Sequence, residues 1–401
     1  IKSLKNNIPV GRGAGISLRR LLTIVQFTIS ITLISCTLIV FEQLNYMRNA
    51  PMGFDKDFMI TVPIQSQNFN SIFGGVDQAK RNNLDAFEEQ IAKYPEVIAS
   101  TLSSNAPGFG QVNRVVAPEG FSLSDNILCP VLSVDYDFIE TYGINVLTGR
   151  DFNKEYSTDI EEAFVINEKA VEEFEFGDVE SAIGKEINLE GHIGKVIGVV
   201  QNFNIQDLSN DLSPLIMEIT VPQFNTISIK LSNHNIPKSL GNIEKAWNGI
   251  FPDETFTYDF LDEALAEQYD NQEQLGNLIA FFSILAILIS CLGSYGLILL
   301  ISVQKQKEIG VRKVLGANIS QIVILLNRQF IWLIAISIIL SIPFYIYLGE
   351  YWLEDFAYRI SINPKSMAIA AVLTFLIVLL TVSYQSLRAA TINPVKSLRS
   401  E

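Results

Sequence analysis

The sequence predicts a membrane protein with four transmembrane α-helices in a one-plus-three arrangement. A large α+β extracytoplasmic domain made of two subdomains is inserted between helices 1 and 2. Three observations carry this expectation. Residues 21–41, 278–303, 329–349 and 366–387 contain no Asp, Glu, Lys or Arg, and each is about long enough to cross a hydrocarbon core as a helix. Their spacing is uneven: residues 42–275 separate the first from the second, whereas only 304–328 and 350–365 lie between the others. Charge divides along the same lines. The chain carries −14 overall, yet residues 42–275 hold 38 Asp plus Glu against 14 Lys plus Arg, a net of −24.

Residues 1–20 carry Lys2, Lys5, Arg12, Arg19 and Arg20 and no acid. Basic residues flanking a span stay on the cytoplasmic side, so this segment is expected to face inward, followed by transmembrane helix 1 at 21–41. With no initiator Met and no cleavable leader, either this span serves as the insertion signal or the chain is a fragment. The acidic residues 42–275 then face outward. Within them, residues 57–63 and 97–103 pattern as strands around an amphipathic helix at 77–93 with Leu84, Phe87 and Ile91 on one face. Residues 226–231, 237–250 and 255–260 repeat the strand–helix–strand pattern. The two units make one subdomain, 54–115 plus 223–265, interrupted by a β-rich insert at 116–222. Helix 2 follows at 278–303, a basic inner segment at 304–328, helix 3 at 329–349, a short outer loop at 350–365, helix 4 at 366–387, and a basic inner tail at 388–401.

Several chemistries are excluded or disfavoured. Cys36 and Cys291 lie in spans and Cys129 is alone in the outer domain, so no bridge forms there; Cys129 is expected as a small buried apolar residue. Gly184-Lys185-Glu186 lacks the spacing and the Ser or Thr of a phosphate loop, and no strand precedes the glycine run at 11–15. His192 and His234 have no Cys or acid at ligand spacing, which argues against zinc. The clusters Glu161-Glu162 and Glu172-Glu173-Glu175 suit a solvated surface, and no basic–aromatic pattern for nucleic acid is present. The spans carry only residues such as Gln26, Ser30, Ser290 and Ser337 at depth, unlike an ion path, which places ionisable groups there. Gly293 and Gly296 suit close helix packing.

The inner segment from Gln304 to Gln321 is the most informative stretch. Lys305, Glu308 and Arg312 recur at helical spacing, with Glu308 and Arg312 an i,i+4 pair in the favourable order. Val311, Val314 and Leu315 form another face. Gly316 suits a helix C-terminus, and Asn318 with Gln321 resembles the cap of a following helix. Two readings remain open: an interfacial helix anchored on anionic membrane lipids, or a docking helix for a cytoplasmic protein.

The run Lys307-Glu-Ile-Gly-Val-Arg-Lys-Val-Leu-Gly-Ala317 before a hydrophobic helix resembles the signature of FtsX/MacB-type ABC transporter permeases, and Ala390-Thr-Ile-Asn-Pro-Val-Lys-Ser-Leu398 resembles their tail. Gly53 to Asp57, Asp135 to Phe138, Gly149 to Phe152, Val165 to Glu168, Ile183 to Lys185 and Val196 to Val200 are similar to the MacB-like periplasmic core domain. The resemblance covers nearly the whole chain and extends to the fused tandem copies found in Bacteroidota. Ile1-Lys-Ser-Leu-Lys5 matches Val395-Lys-Ser-Leu-Arg399, as expected if this were the second half of such a tandem.

The resemblance implies a non-catalytic permease subunit of the bacterial inner membrane that works by mechanotransmission without a membrane channel. It implies a cytoplasmic ABC ATPase partner that binds ATP and Mg, and no cofactor on this chain. A homodimer or a fused second half, a periplasmic adaptor and membrane lipids complete the implied partners. Lys305, Glu308, Gly310, Arg312, Lys313 and Gly316 would couple to the ATPase. Gly149, Arg150, Asn167, Gly184 and Gly198 would define the periplasmic fold, the glycines at turns and Asn167 on backbone groups. The alternative class is an ATPase-independent receptor or signalling protein whose inner helix reports an outer ligand.

Overall fold

In this computed structural model residues 12–64, 78–125 and 127–391 are described. Both copies of the end repeat, 1–5 and 395–399, and most of the tail motif therefore lie outside the described residues. Two compact units emerge: an outer one, Met47–Asp270 with Phe356–Tyr358, and a membrane one that runs through Tyr46, takes up again at Asn271–Asp355 and continues from Arg359.

After α1 (Arg12–Asn49), the outer unit begins with β1 (Met59–Pro63), α2 (Gln78–Ile91) and β2 (Val97–Ser103). Those elements are completed much later in the chain by β10 (Thr226–Leu231), α6 (Ile236–Ile250) and β11 (Asp259–Phe260). The strand order is β11-β1-β10-β2, with β10 antiparallel to both neighbours. Each strand–helix–strand unit is thus split by a strand of the other, the ferredoxin-like arrangement. Alternation sends Ile60, Val62, Ile227 and Ile229 to one face, where Leu84, Phe87 and Ile91 of α2 and Ile243 and Trp247 of α6 cover them. Phe87 and Trp247 meet edge to face at 5.3 Å. The strand expected at 255–260 shrinks to two residues, because Phe256 packs on Trp247 at 5.9 Å while only Asp259 and Phe260 pair with β1.

The insert contributes β3 (Val112–Pro118), β4 (Ile127–Ser133), α3 (Phe138–Thr141), β5 (Val146–Gly149), α4 (Asp159–Glu162), β6 (Ala163–Asn167), α5 (Glu168–Glu173), β7 (Glu186–Leu189), β8 (His192–Val200) and β9 (Ile216–Glu218). Seven strands pair in the order β5-β8-β6-β9-β4-β3-β7, and β8 also pairs with β7, so the sheet closes on itself. Closure leaves few free edges. Inside lie Val116, Cys129, Val131, Phe164, Ile187 and Val196. Burial pushes the Cys129 thiol up to about 12, so it stays a protonated, unreactive core residue. One boundary moves. β3 begins at Val112 and pairs with β4, so residues 112–115 belong to the insert rather than to the first subdomain; its apolar alternation alone does not say which sheet it joins. The outer unit ends on α7 (Leu261–Glu267).

The membrane unit holds α1, α8 (Asp270–Gln304), α9 (Gln306–Val314), α10 (Ile319–Leu353) and α11 (Pro364–Thr391). Among the described residues, four helices are long and apolar enough to cross a membrane: Leu18–Asn49, Asp270–Gln304, Ile319–Leu353 and Pro364–Arg388. They run past the charge-free windows, because hydropathy marks where a helix tolerates lipid whereas capping marks where it starts. Thus α10 takes up residues 319–328 of the expected inner segment. Leu292, Leu380 and Trp332 are exposed on these helices, as lipid-facing side chains must be. Polar side chains join the helices instead. Ser30 Oγ lies 3.0 Å from Ser290 Oγ, Ser337 Oγ donates to the Ile24 carbonyl at 3.0 Å, and Asn327 Nδ2 donates to Ser383 Oγ at 2.7 Å. A Cβ on Gly293 would come within 2.6 Å of Gln26 Oε1, whereas one on Gly296 would meet nothing within 4 Å. Close packing therefore accounts for Gly293 and not for Gly296.

Candidate functional site

The segment between the second and third spans folds as the short helix α9 with defined ends. Glu308 stands in its first turn and Arg312 and Lys313 in its last, each charge opposing the helix dipole favourably. Arg312 donates to Glu308 Oε1 at 2.8 Å, and Lys305 Nζ lies 3.6 Å from Glu308 Oε2. Glu308 and Arg312 are exposed and Lys305 is partly so, and the pairing is worth only about 0.3–0.5 kcal/mol. At the C-terminus the Ala317 N–H reaches the Arg312 carbonyl at 2.9 Å and the Gly316 N–H the Lys313 carbonyl at 3.1 Å. This is a Schellman cap, and it places Gly316 at φ +92°, where a side chain is strained. The Asn318 N–H then donates to Gln321 Oε1 at 3.1 Å at the start of α10.

Ile309 and Gly310 are the buried residues of α9. Val311 is 50% exposed, Val314 68% and Leu315 80%, so the apolar face foreseen from spacing points away from the packed helices. The structure thus brings Lys305, Glu308, Arg312 and Lys313 onto one short capped helix beside an exposed apolar patch, with Gly310 inside. A groove of about 380 Å³ runs from Arg312 and Leu315 to Gln321 and Ile322.

The outer signature residues sit in the insert and do different work. Gly149 (φ +77°) ends β5, where a Cβ would fall 2.2 Å from the Ile197 carbonyl oxygen. Gly198 is not at a turn, as the sequence suggested, but within β8, and its Cβ would fall 2.2 Å from the Arg150 carbonyl oxygen. The two strands cross so closely that neither accepts a side chain. Gly184 does lie at a positive φ of +82°, in open space. Arg150 grips the nearly fully buried Asp159 with two hydrogen bonds, 2.6 and 2.7 Å, and lies 4.4 Å from the Tyr156 ring centroid.

Asn167 caps α5: its Oδ1 accepts from the Ala170 and Leu215 N–H groups and its Nδ2 donates to the Ser213 carbonyl, each at 2.9 Å. Asn167→Ala would strand three backbone partners of a fully buried side chain. The expected cost is about 2 kcal/mol, read as a lower thermal transition of the outer domain in the full-length protein.

Two clusters escaped sequence reasoning. In the insert, the buried Glu218 accepts from Arg114 at 2.7 Å, with His192 Nδ1 at 3.7 Å. In the cleft where the two outer subdomains meet, Glu88, Asp135, Asp137, Glu140 and Lys154 line a space of about 750 Å³. Burial, with Asp135 nearby, lifts the Glu88 carboxyl to about 8. Burial also lifts Asp135 to about 6, against the pull of hydrogen bonds from Thr101 and the Leu102 N–H. These residues come from α2, β2, α3 and the loops after β4 and β5, so no local spacing announces them. No group of His, Cys, Asp and Glu able to hold a metal ion occurs among the described residues.

Comparison with known proteins agrees with this architecture. The description "FtsX-like permease C-terminal" matches residues 280–394, and "MacB-like periplasmic core domain" matches residues 21–241. No curated protein matches the sequence. Among solved structures, the periplasmic region of MacB from Actinobacillus actinomycetemcomitans is similar at 12% identity and a TM-score of 0.37, over 54% of this chain and 94% of that one. The extracellular domain of the noncanonic ABC-type transporter YknZ from Gram-positive bacteria is similar at 14% identity and 0.34, over 50% and 98%. A permease domain from Porphyromonas gingivalis is similar at 13% and 0.33, over 51% and 90%. With one match covering more than half of the chain and the other its last three spans, this protein belongs to the family of FtsX-like ABC transporter permeases with a MacB-like periplasmic core domain.

Proposed function

We propose that this chain is the permease subunit of an ABC transporter in a bacterial inner membrane and that it works by mechanotransmission. A separate cytoplasmic ATPase, which binds ATP and Mg, drives α9. The spans pass the motion to the periplasmic domain, which exports or releases cargo such as a peptide, an antibiotic or a lipoprotein. The chain acts as a dimer or as half of a fused pair, a periplasmic adaptor is a further candidate partner, and the hydrolytic chemistry rests with the ATPase. The observation that carries this reading is α9 itself. It is capped at its C-terminus, follows the second span directly in the chain, and offers Glu308, Arg312 and an apolar patch outward. Such a combination of exposed apolar and paired charged groups suits a protein partner.

The test is affinity purification of the full-length protein from native membranes in mild detergent, with mass spectrometry of what accompanies it. A P-loop ATPase is expected. Exchanging the charges, Glu308→Arg with Arg312→Glu, keeps an ion pair within the helix and reverses what a partner meets, so ATPase recovery is expected to fall about tenfold or more. Recovery of no ATPase by the intact wild-type protein would instead favour the stand-alone receptor.

A further inference from the structure

At the end of the second span, α8, α9 and α11 enclose a cavity of about 370 Å³ whose lining includes Leu299, Ser302, Val303, Lys313, Gln385 and Arg388. Its walls combine apolar groups with two cationic side chains, one from α9 and one from the last turn of α11. Its polar groups are unusual. Gln385 is only 5% exposed, and its Oε1 has no hydrogen-bond partner among the described residues; the buried Ser302 Oγ is in the same position. A buried polar atom left unpaired is costly and rare; both of these belong to residues that line the cavity, and each needs only a side-chain rotation to present its oxygen to a ligand that supplies hydrogen-bonding groups. The surrounding chemistry says which. Val303 is 69% exposed on a membrane-spanning helix, so the cavity lies beside the acyl chains. Basic pockets between helices at a membrane surface suit anionic headgroups, and Lys and Arg bind phosphate oxygens strongly.

We propose that this cavity holds the headgroup of an anionic phospholipid, its phosphate between Lys313 and Arg388 and its glycerol hydroxyls against Gln385 and Ser302. The lipid ties α9 to the end of the fourth span. The inference rests on the membrane-spanning reading and not on a partner ATPase, so the test uses the permease chain alone and its failure leaves the ATPase assay untouched.

The purified full-length protein is exchanged into micelles carrying phosphatidylglycerol or phosphatidylethanolamine, and lipid retention is measured by native mass spectrometry. Phosphatidylglycerol is expected to be retained preferentially. Retention should drop about 25-fold in Lys313→Gln with Arg388→Gln, roughly fivefold for each charge, and should persist in Arg388→Lys, which keeps the charge. Lys307→Gln, an exposed lysine of α9 outside the cavity, should change nothing. Equal retention of the two lipids, or undiminished retention by the double variant, overturns the proposal. Displacement of the lipid by millimolar glycerol 3-phosphate also overturns it, because the cavity would then be a soluble-phosphate site that takes nothing from the acyl chains. A double variant that fails to fold is recognised by its aggregation in size-exclusion chromatography in the same micelles, and Arg388→Gln and Gln385→Leu singly then carry the test: both must lower retention.

Discussion

Gly198→Ala is expected to destabilise the outer domain by about 3 kcal/mol or more, a larger effect than one methyl group normally has. Both atoms that the new Cβ would approach most closely are backbone: the Arg150 carbonyl oxygen at 2.2 Å and its carbon at 3.1 Å. A side chain could rotate away, but the Arg150 backbone is held by the hydrogen bond from its N–H to the Ile197 carbonyl at 3.0 Å. Its guanidinium is held by Asp159. Relief therefore means separating β5 from β8 at the bulge where the β6–β8 register shifts. Gly184→Ala is the informative contrast. Its neighbourhood is empty within 4 Å, so only the left-handed backbone is charged against it, about 1–2 kcal/mol. Thermal unfolding of the full-length protein in detergent would show the difference, at about 2–4 °C per kcal/mol for a domain of this size. Alkylation of Cys129, in a Cys36→Ser and Cys291→Ser background, would report the same opening from inside the sheet. Equal transitions for the two variants would mean that the strands separate freely at this crossing.

The parts of the fold legible in the sequence are those whose cause is local. Charge-free windows show the spans because lipid forbids unpaired charge over a long contiguous stretch. The alternation in β1 and β10 and the Leu84–Phe87–Ile91 stripe of α2 show the ferredoxin-like half for a similar reason: each of these elements declares its buried face alone. The Gly316 and Asn318 signals bracket the turn between α9 and α10 because capping is a matter of adjacent residues.

What was not legible depends on distant partners. Val112 belongs with the insert because it pairs with Val131, a contact that its own neighbours do not encode. Gly198 looks like a turn glycine until Arg150 is placed against it. Glu88 and Asp135 are ordinary acidic residues in the chain and become a shared cleft only when α2 is laid across β2. The coupling segment shows both sides of this distinction. Its helix, caps and ion pair follow from spacing, but spacing placed Val311, Val314 and Leu315 on a face without saying whether that face is covered, and packing leaves it exposed.

The acidic cleft makes the stability of the outer domain depend on pH in a direction opposite to that of most carboxylates. Glu88 faces Arg81 and Asp85 on its own helix, Asp135, Asp137 and Glu140 from the segment after β4, and Lys154 from the loop after β5. Among the described residues, Ser100, donating at 3.2 Å, is the one hydrogen-bond partner of Glu88. Burial and the adjacent acids raise its carboxyl from 4.5 to about 8. Below about pH 4.5 the group is protonated whether the chain is folded or not, and it contributes nothing to the pH dependence. Between 4.5 and about 8 the unfolded chain releases this proton while the folded chain keeps it, so the folded state binds more protons and loses stability as pH rises. Asp135 acts in the same sense between 3.8 and about 6. Glu88→Gln retains an acceptor for Ser100 and removes the titration. The variant is expected to match the wild-type thermal transition near pH 4.5 and to exceed it near pH 8 by a margin of a few kcal/mol, since each tenfold gain in proton affinity on folding corresponds to about 1.4 kcal/mol. A difference that stays constant from acid to alkaline pH would show that Glu88 titrates normally, and that the cleft carries its charges exposed to water rather than between the two subdomains.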